Sequence, residues 1–106
     1  MEEDQMLRGL ASHPERLLVR MIRWLVISAR GHYTQAGATV DESVRGLTCI
    51  NELMHQVANQ LSSMDSREQR PDVAFIEALR VLAEQRGCTD DLDGAVARAL
   101  EDTDRG

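Results

Sequence analysis

The chain has no lysine and almost no aromatic residues. Its 106 residues include 12 basic side chains, all of them arginine, and one residue each of tryptophan, tyrosine and phenylalanine. Without lysine there is no amine for a Schiff base with a carbonyl substrate, and no lysine for a phosphate-binding loop. Two broad classes of enzyme chemistry are therefore excluded before any motif is considered.

Aliphatic side chains must fill the interior, because hydrophobic residues make up 42% of the chain and aromatic residues only 3%. That composition suits helix packing better than a sheet. A chain of this length forms one domain. No apolar run reaches the roughly 20 residues that a bilayer span needs, because arginines interrupt the most apolar segment. We therefore expect a soluble protein without a membrane partner.

The opening residues favour a cytoplasmic location, and this location sets the expectation for the two cysteines. The first segment, MEEDQMLRGL, is acidic and lacks the basic start, apolar stretch and cleavage site of a signal peptide. Two cysteines in a cytosolic chain are more often buried apolar groups than a disulfide. We therefore expect Cys49 and Cys88 to be free thiols.

The segment SHPERLLVRMIRWLVISARG predicts a helix over about residues 13–30. Ser12 and Glu15 fit a capping box, and Pro14 suits the first helical turn. Most of the circumference of this helix is apolar, so we expect it to be largely buried. Residues 31–39 predict a loop. Four arginines fall within one narrow stripe of the helix, here called the arginine stripe: Arg16, Arg20, Arg23 and Arg30.

The longest predicted helix covers about residues 40–64. Its apolar residues alternate in steps of three and four, which is the spacing of a coiled-coil seam. We expect this seam to lie in the core or in a dimer contact, and it consists of Leu47, Ile50, Met54, Val57 and Leu61.

Two further helices are predicted, over about residues 71–86 and 90–101. Pro71 and Asp72 suit the start of the first helix, and Gly87 suits its end. Thr89 is the predicted cap of the second, short helix.

No alternating apolar pattern of strand length occurs anywhere in the chain. The predicted fold is all-α, a small irregular helical bundle of three main helices and one short C-terminal helix. Residues 1–106 form a single domain in this prediction, with frayed ends at about 1–11 and 102–106.

A polar row of Asn51, His55 and Asn59 recurs every four residues along the longest helix. The segment MHQVANQL is similar to the phosphoacceptor helix of one class of sensor histidine kinases, in which a histidine is followed four residues later by asparagine and then by leucine. His55, Asn59 and Leu61 are the matching positions. The resemblance implies a histidine phosphotransfer module with His55 as phosphoacceptor. The other interpretation, which we prefer, is that the row is the solvent side of a core helix.

Catalytic and metal-binding constellations are missing from the sequence. The three histidines, His13, His32 and His55, have no spacing that would bring metal ligands onto one helix face. Cys49 lies six residues from His55, on a different side of the helix, and no glycine-rich elbow surrounds a serine. We predict no catalytic activity, no cofactor and no metal.

Charge is distributed unevenly. Residues 14–50 hold five arginines and three acids, whereas residues 88–106 hold six acids and two arginines. Either the C-terminal acids fold back onto the arginine stripe, or a neighbouring chain supplies the acids. The stripe could also contact nucleic acid, but a net charge of −6 repels polyanions. We expect a cytosolic protein–protein interaction or regulatory module, and we expect it to be a homodimer. Phosphotransfer through His55 and nucleic-acid binding are the alternatives.

Overall fold

A computed structural model describes residues 3–34, 37, 39–64 and 72–105, apart from the side chain of Glu3. Nearly all of these residues are in helices, and none of the described residues is in a strand. The described helices are α1 (Glu3–Ser12), α2 (Pro14–Thr34), α3 (Val40–Ser63), α4 (Val73–Arg86) and α5 (Thr89–Asp104). The prediction of an all-α fold is confirmed, with one helix more than the sequence patterns indicated.

Helix α2 is the centre of the bundle, because it packs against α3 on one side and α5 on the other. Four of its side chains are fully buried: Leu17, Leu18, Met21 and Leu25. Helix α1 packs against α2 and α5, and α4 packs against α3 and α5, which completes the core. Within the described ranges, none of the helices combines the length and the hydrophobicity of a membrane span.

Local capping explains where the helices begin and end. Thr39 and Glu42 form a capping box at the start of α3, and the Asp72 carboxylate accepts a hydrogen bond from the Phe75 amide at the start of α4. Gly87 ends α4 with a φ of 78°, a left-handed conformation that glycine adopts without a steric penalty. The capping box fixes the start of α3 at Val40, which agrees with the predicted start at about residue 40.

The prediction of a frayed segment at residues 1–11 is wrong, because α1 occupies it from Glu3 onward. Met6 and Leu10 are buried against the rest of the core. Ser12 is the last residue of α1 and therefore does not cap α2, whereas Pro14 is the first residue of α2, as predicted. The apolar pattern of α1 extends over too few residues to predict a helix from the sequence. The helix becomes evident only from the core that it covers.

Helices α2 and α5 are both longer than predicted. Helix α2 continues beyond residue 30 to Thr34, so residues 31–34 of the predicted loop are helical, while residues 35, 36 and 38 lie outside the described residues. Helix α5 begins at Thr89, with Cys88 as its cap residue, and ends at Asp104. Thr103 is buried and its hydroxyl donates to the Ala99 carbonyl at 2.7 Å, so the predicted fraying over 102–106 does not hold for this residue.

The apolar seam of α3 lies at the edge of the core rather than at its centre. Ile50 and Val57 are buried, whereas Leu47, Met54 and Leu61 are half-buried. Leu53, which the seam did not include, is fully buried. The core side of α3 is therefore rotated by part of a turn from the predicted seam, which leaves some apolar side chains on the surface.

Cys49 and Cys88 form a disulfide, so the prediction of two free thiols is wrong. Cys49 is on the buried side of α3, and Cys88 lies between α4 and α5. Their Cα atoms are 6.3 Å apart, a distance that a disulfide spans. Helix α4 packs back against α3, and this packing, which no spacing of the two residues reveals, brings the cysteines together.

Replacing both cysteines with alanine should lower the free energy of unfolding. The crosslinked residues are separated by 39 positions. In the chain-entropy description, restoring the freedom of an unfolded loop of that length costs about 4 kcal/mol of stability. Urea unfolding of the oxidised protein and of the Cys49→Ala/Cys88→Ala variant measures this difference.

Addition of a thiol reductant is the matched control. The reductant should lower the unfolding midpoint of the unsubstituted protein and leave that of the double variant unchanged. A midpoint that does not respond to the reductant in the unsubstituted protein would contradict the stabilising role of the disulfide.

Candidate functional site

Large apolar side chains are exposed along one side of the α2–α3 pair. Tyr33 of α2 is 78% exposed, and Val40 and Val44 of α3 are 79% and 53% exposed. Farther along, the two helices border a groove of about 320 Å³. Its lining is apolar apart from Arg30 and Thr34, and consists otherwise of Val26, Ala29, Tyr33, Leu47 and Met54. An exposed apolar surface of this kind is typical of a contact site.

Helical spacing explains why these side chains share one side. On α2 the apolar positions 19, 26 and 33 are seven residues apart, and on α3 positions 40, 44, 47 and 54 follow steps of four, three and seven. Such steps return a side chain to nearly the same direction. We define the α2–α3 face by these residues: Val19, Val26, Tyr33, Val40, Val44, Leu47 and Met54.

Three of the four residues of the arginine stripe lie along the edge of this face. These three are Arg16, Arg23 and Arg30, and all of them are exposed. Successive members are seven residues apart, which corresponds to about 10.5 Å along the helix axis. We call these three residues the arginine row. Arg20 is different, because it is half-buried and its Nη1 atom is buried without a hydrogen-bond partner among the described residues.

In the described part of the chain, the C-terminal acids form no ion pair with Arg23 or Arg30. Asp102 of α5 accepts a 2.7 Å hydrogen bond from Trp24 Nε1, and Asp91 pairs with His32. Arg23 lies 6.0 Å from the centroid of the Trp24 ring, and neither Arg23 nor Arg30 forms an ion pair with a described residue. Within the described residues, Arg23 and Arg30 are therefore the members of the arginine row that have no ion-pair partner.

The predicted polar row is a solvent-exposed side of α3. Asn51, His55 and Asn59 are all exposed, and the His55 imidazole forms no hydrogen bond with a described residue. His55 directly follows Met54, so it lies at the border of the α2–α3 face. The row is open to a partner molecule, but among the described residues none forms a hydrogen bond or ion pair that would activate the histidine.

The closest arrangement to a catalytic pair is formed by His32 and Asp91. The His32 Nε2 atom lies 3.1 Å from both carboxylate oxygens of Asp91, beside the disulfide. No hydroxyl or free thiol is among the residues that line this pocket. The nearby Ser43 hydroxyl donates to the His32 carbonyl oxygen at 3.2 Å and forms no hydrogen bond with the imidazole, so this pair does not activate a nucleophile. The pair ties α2 to α5. The sequence did not indicate it, because His32 and Asp91 were predicted in a loop and at a cap.

Metal binding has no support in the described residues, among which no three histidine, cysteine, aspartate or glutamate side chains converge on one point. Comparison with protein-family models, with curated proteins and with solved structures gives no match. The α2–α3 face with its arginine row is therefore the candidate site, and the argument for it rests on this chain alone. Sequence analysis missed Tyr33, Val40 and Val44, although their helical spacing was a signal.

The closeness of Gly46 to His32 leads to a testable prediction. A Cβ atom at position 46 would lie 2.7 Å from the His32 Nδ1 atom, so Gly46→Ala should displace the imidazole and break its contact with Asp91. Gly94 of α5 has open space around it and provides the matched control. Gly94→Ala should stabilise the protein by up to about 1 kcal/mol through helix propensity, and Gly46→Ala should gain less or lose stability.

Thermal unfolding and the NMR signals of the His32 ring measure the two effects. Equal stabilisation by both substitutions, with an unchanged His32 signal in Gly46→Ala, would contradict the close packing of the imidazole on α3.

Proposed function

We propose that the protein is a small helical protein–protein interaction module without catalytic activity of its own. The α2–α3 face is its contact surface. The observation that carries this proposal is the exposure of Tyr33, Val40 and Val44 on one side of two adjacent helices, next to an apolar groove. A monomer rarely leaves a continuous apolar surface in water unless it has a binding role.

The surroundings of this face favour binding over chemistry. The groove between the helices has two polar residues in its lining, Arg30 and Thr34, and neither is a nucleophile beside a base. The His32–Asp91 pair lies in a different pocket and is accounted for by its packing role. The face therefore offers apolar area and positive charge, which are the properties of a contact surface.

A cytoplasmic location is part of the proposal. The disulfide is the observation that argues against this location. Cytosolic reductants keep most protein thiols reduced. The cysteines are only 2% and 3% exposed, which would slow attack by a reductant on the Cys49–Cys88 bond. Association into a homodimer is also part of the proposal. The experiment below distinguishes a second copy of this chain from a different protein as the partner.

Site-specific photo-crosslinking in the native cell tests the module. A photoreactive amino acid at Val44, on the α2–α3 face, should give a discrete protein adduct. The same group at Val81 of α4 should give none, although Val81 is nearly as exposed, at 46% against 53%. The adduct at position 44 should disappear when Tyr33→Asp places a charge on the facing helix, because a buried unpaired charge opposes binding.

The mass of the adduct identifies the partner as a second copy or as another chain. Equal crosslinking at positions 44 and 81, or an adduct that survives Tyr33→Asp, would remove the α2–α3 face as the contact surface.

Phosphotransfer through His55 is a second candidate, favoured by the exposure of this histidine on a helix of the bundle. Incubation with a small phosphodonor should then produce an acid-labile label that is lost in His55→Ala. His13→Ala is the matched control, since His13 is also exposed and should not affect the label. Absence of an acid-labile label, or its persistence in His55→Ala, would eliminate this candidate.

A further inference from the structure

We propose that the protein has a second binding site, which takes a small apolar molecule with one carboxylate. The site is the groove at the end of the bundle where α2 begins and α3 ends, here called the Arg20 groove. Arg20 is the residue that pairs with the carboxylate. Apart from Val19, the lining of this groove shares no residue with the α2–α3 face. The site therefore goes beyond the proposed function.

The Arg20 groove has a size and a lining that suit a small molecule. Its volume is about 580 Å³, and small-molecule sites in proteins measure roughly 300–1,000 Å³. Pro14 and Val19 of α2 and Met64 at the end of α3 supply its apolar lining. The lining runs from His13 to Arg20, which corresponds to about 10.5 Å along a helix. That length is too short for a partner helix of several turns, so the occupant is a small molecule.

Arg20 is the unpaired charge of this groove. Its side chain is half-buried, and its Nη1 atom is buried without a hydrogen-bond partner among the described residues. The guanidinium also forms no ion pair with a described residue. Buried polar atoms nearly always have a partner, and a charge that is partly removed from water attracts an opposite charge more strongly than one in bulk water. A carboxylate in the groove would supply the partner that the described chain does not.

A second donor at this end of the bundle is also unsatisfied. Gln60 lies one turn before Met64 on α3, and its Nε2 atom is buried without a hydrogen-bond partner among the described residues. An N–H donor needs an acceptor, and leaving one unmade in a buried place costs stability. An occupant with oxygen atoms therefore fits this end of the bundle better than a cation or a pure hydrocarbon.

The other charged residues of the lining limit the charge of the ligand. Arg16 lines the groove, but it already has an interaction partner in the structure and contributes no free charge. Glu15 is exposed, lies five residues before Arg20 and repels anions. A carboxylate, with one negative charge, is repelled less than a phosphate group, which carries nearly two. This balance favours a carboxylate as the ligand group.

Binding of a matched pair of small molecules to the full chain tests the site. Naphthoate carries a carboxylate on an apolar body, and naphthalenemethanol is its neutral counterpart. Naphthoate should shift the NMR signal of the Met64 methyl group and leave that of Met54 unchanged, because Met54 lines the groove between α2 and α3 instead. Naphthoate should bind at least about tenfold more tightly than the alcohol, since a hydrogen bond to a charged group contributes that factor or more.

Single substitutions locate the effect. Arg20→Gln should abolish the preference for naphthoate, and Arg20→Lys should keep part of it because the positive charge remains. The matched control Arg45→Gln removes the same charge from an exposed position of α3 that does not line the groove, and it should keep the full preference. Glu15→Gln should tighten the binding of naphthoate, because a repelling charge is removed. Circular dichroism checks that each variant remains helical.

Several results would overturn the site. These are equal binding of naphthoate and the alcohol, no saturable shift at Met64, a larger shift at Met54 than at Met64, and a preference that survives Arg20→Gln. An equal loss of preference in Arg20→Gln and Arg45→Gln would also overturn it. Crosslinking at Val44 reports on the α2–α3 face and does not depend on naphthoate, so the Arg20 groove and the proposed function can fail independently.

Discussion

Burial of α2 on two sides is the constraint on which the rest of the structure depends. Its fully buried leucines and Met21 face α3 and α5, and the other helices pack around this arrangement. The opposite side of α2 is in contact with water, and ten of its 21 residues are exposed. The exposed arginines and apolar residues of the candidate surface lie side by side on this half of the helix.

Polar contacts on α5 then determine where negative charge appears. Asp102 accepts a hydrogen bond from the Trp24 indole, Asp91 pairs with His32, and the disulfide holds the start of α5 close to α3. These contacts hold α5 against α2 while the start of α5 stays close to α3. Asp91 and Asp102 are therefore paired with His32 and Trp24 rather than with Arg23 or Arg30. A chain with a net charge of −6 can consequently present a locally positive apolar face.

The polar pair that most resembles a catalytic site is better explained by packing. The His32 ring lies against Gly46, where a side chain would collide with it, and its carboxylate partner belongs to α5. A half-buried imidazole needs a hydrogen-bond partner whether or not it reacts. The α2–α3 face has no comparable internal explanation, because exposing Tyr33 and Val40 to water stabilises nothing within the bundle. This difference is the reason for placing function on the face.

The sequence by itself determined the helical class, the approximate positions of the four longer helices and the absence of recognisable enzyme motifs, because apolar periodicity and glycine or proline signals act over a few neighbouring residues. Tertiary structure decided what depends on distant residues. It made α1 a helix by covering Met6 and Leu10, joined Cys49 to Cys88 across 39 positions, and turned α3 so that Leu53 is buried while Val40 and Val44 are exposed. The physical reason is that a helix has more apolar surface than any one neighbour can cover, and only the packing of all the helices fixes which part stays in water.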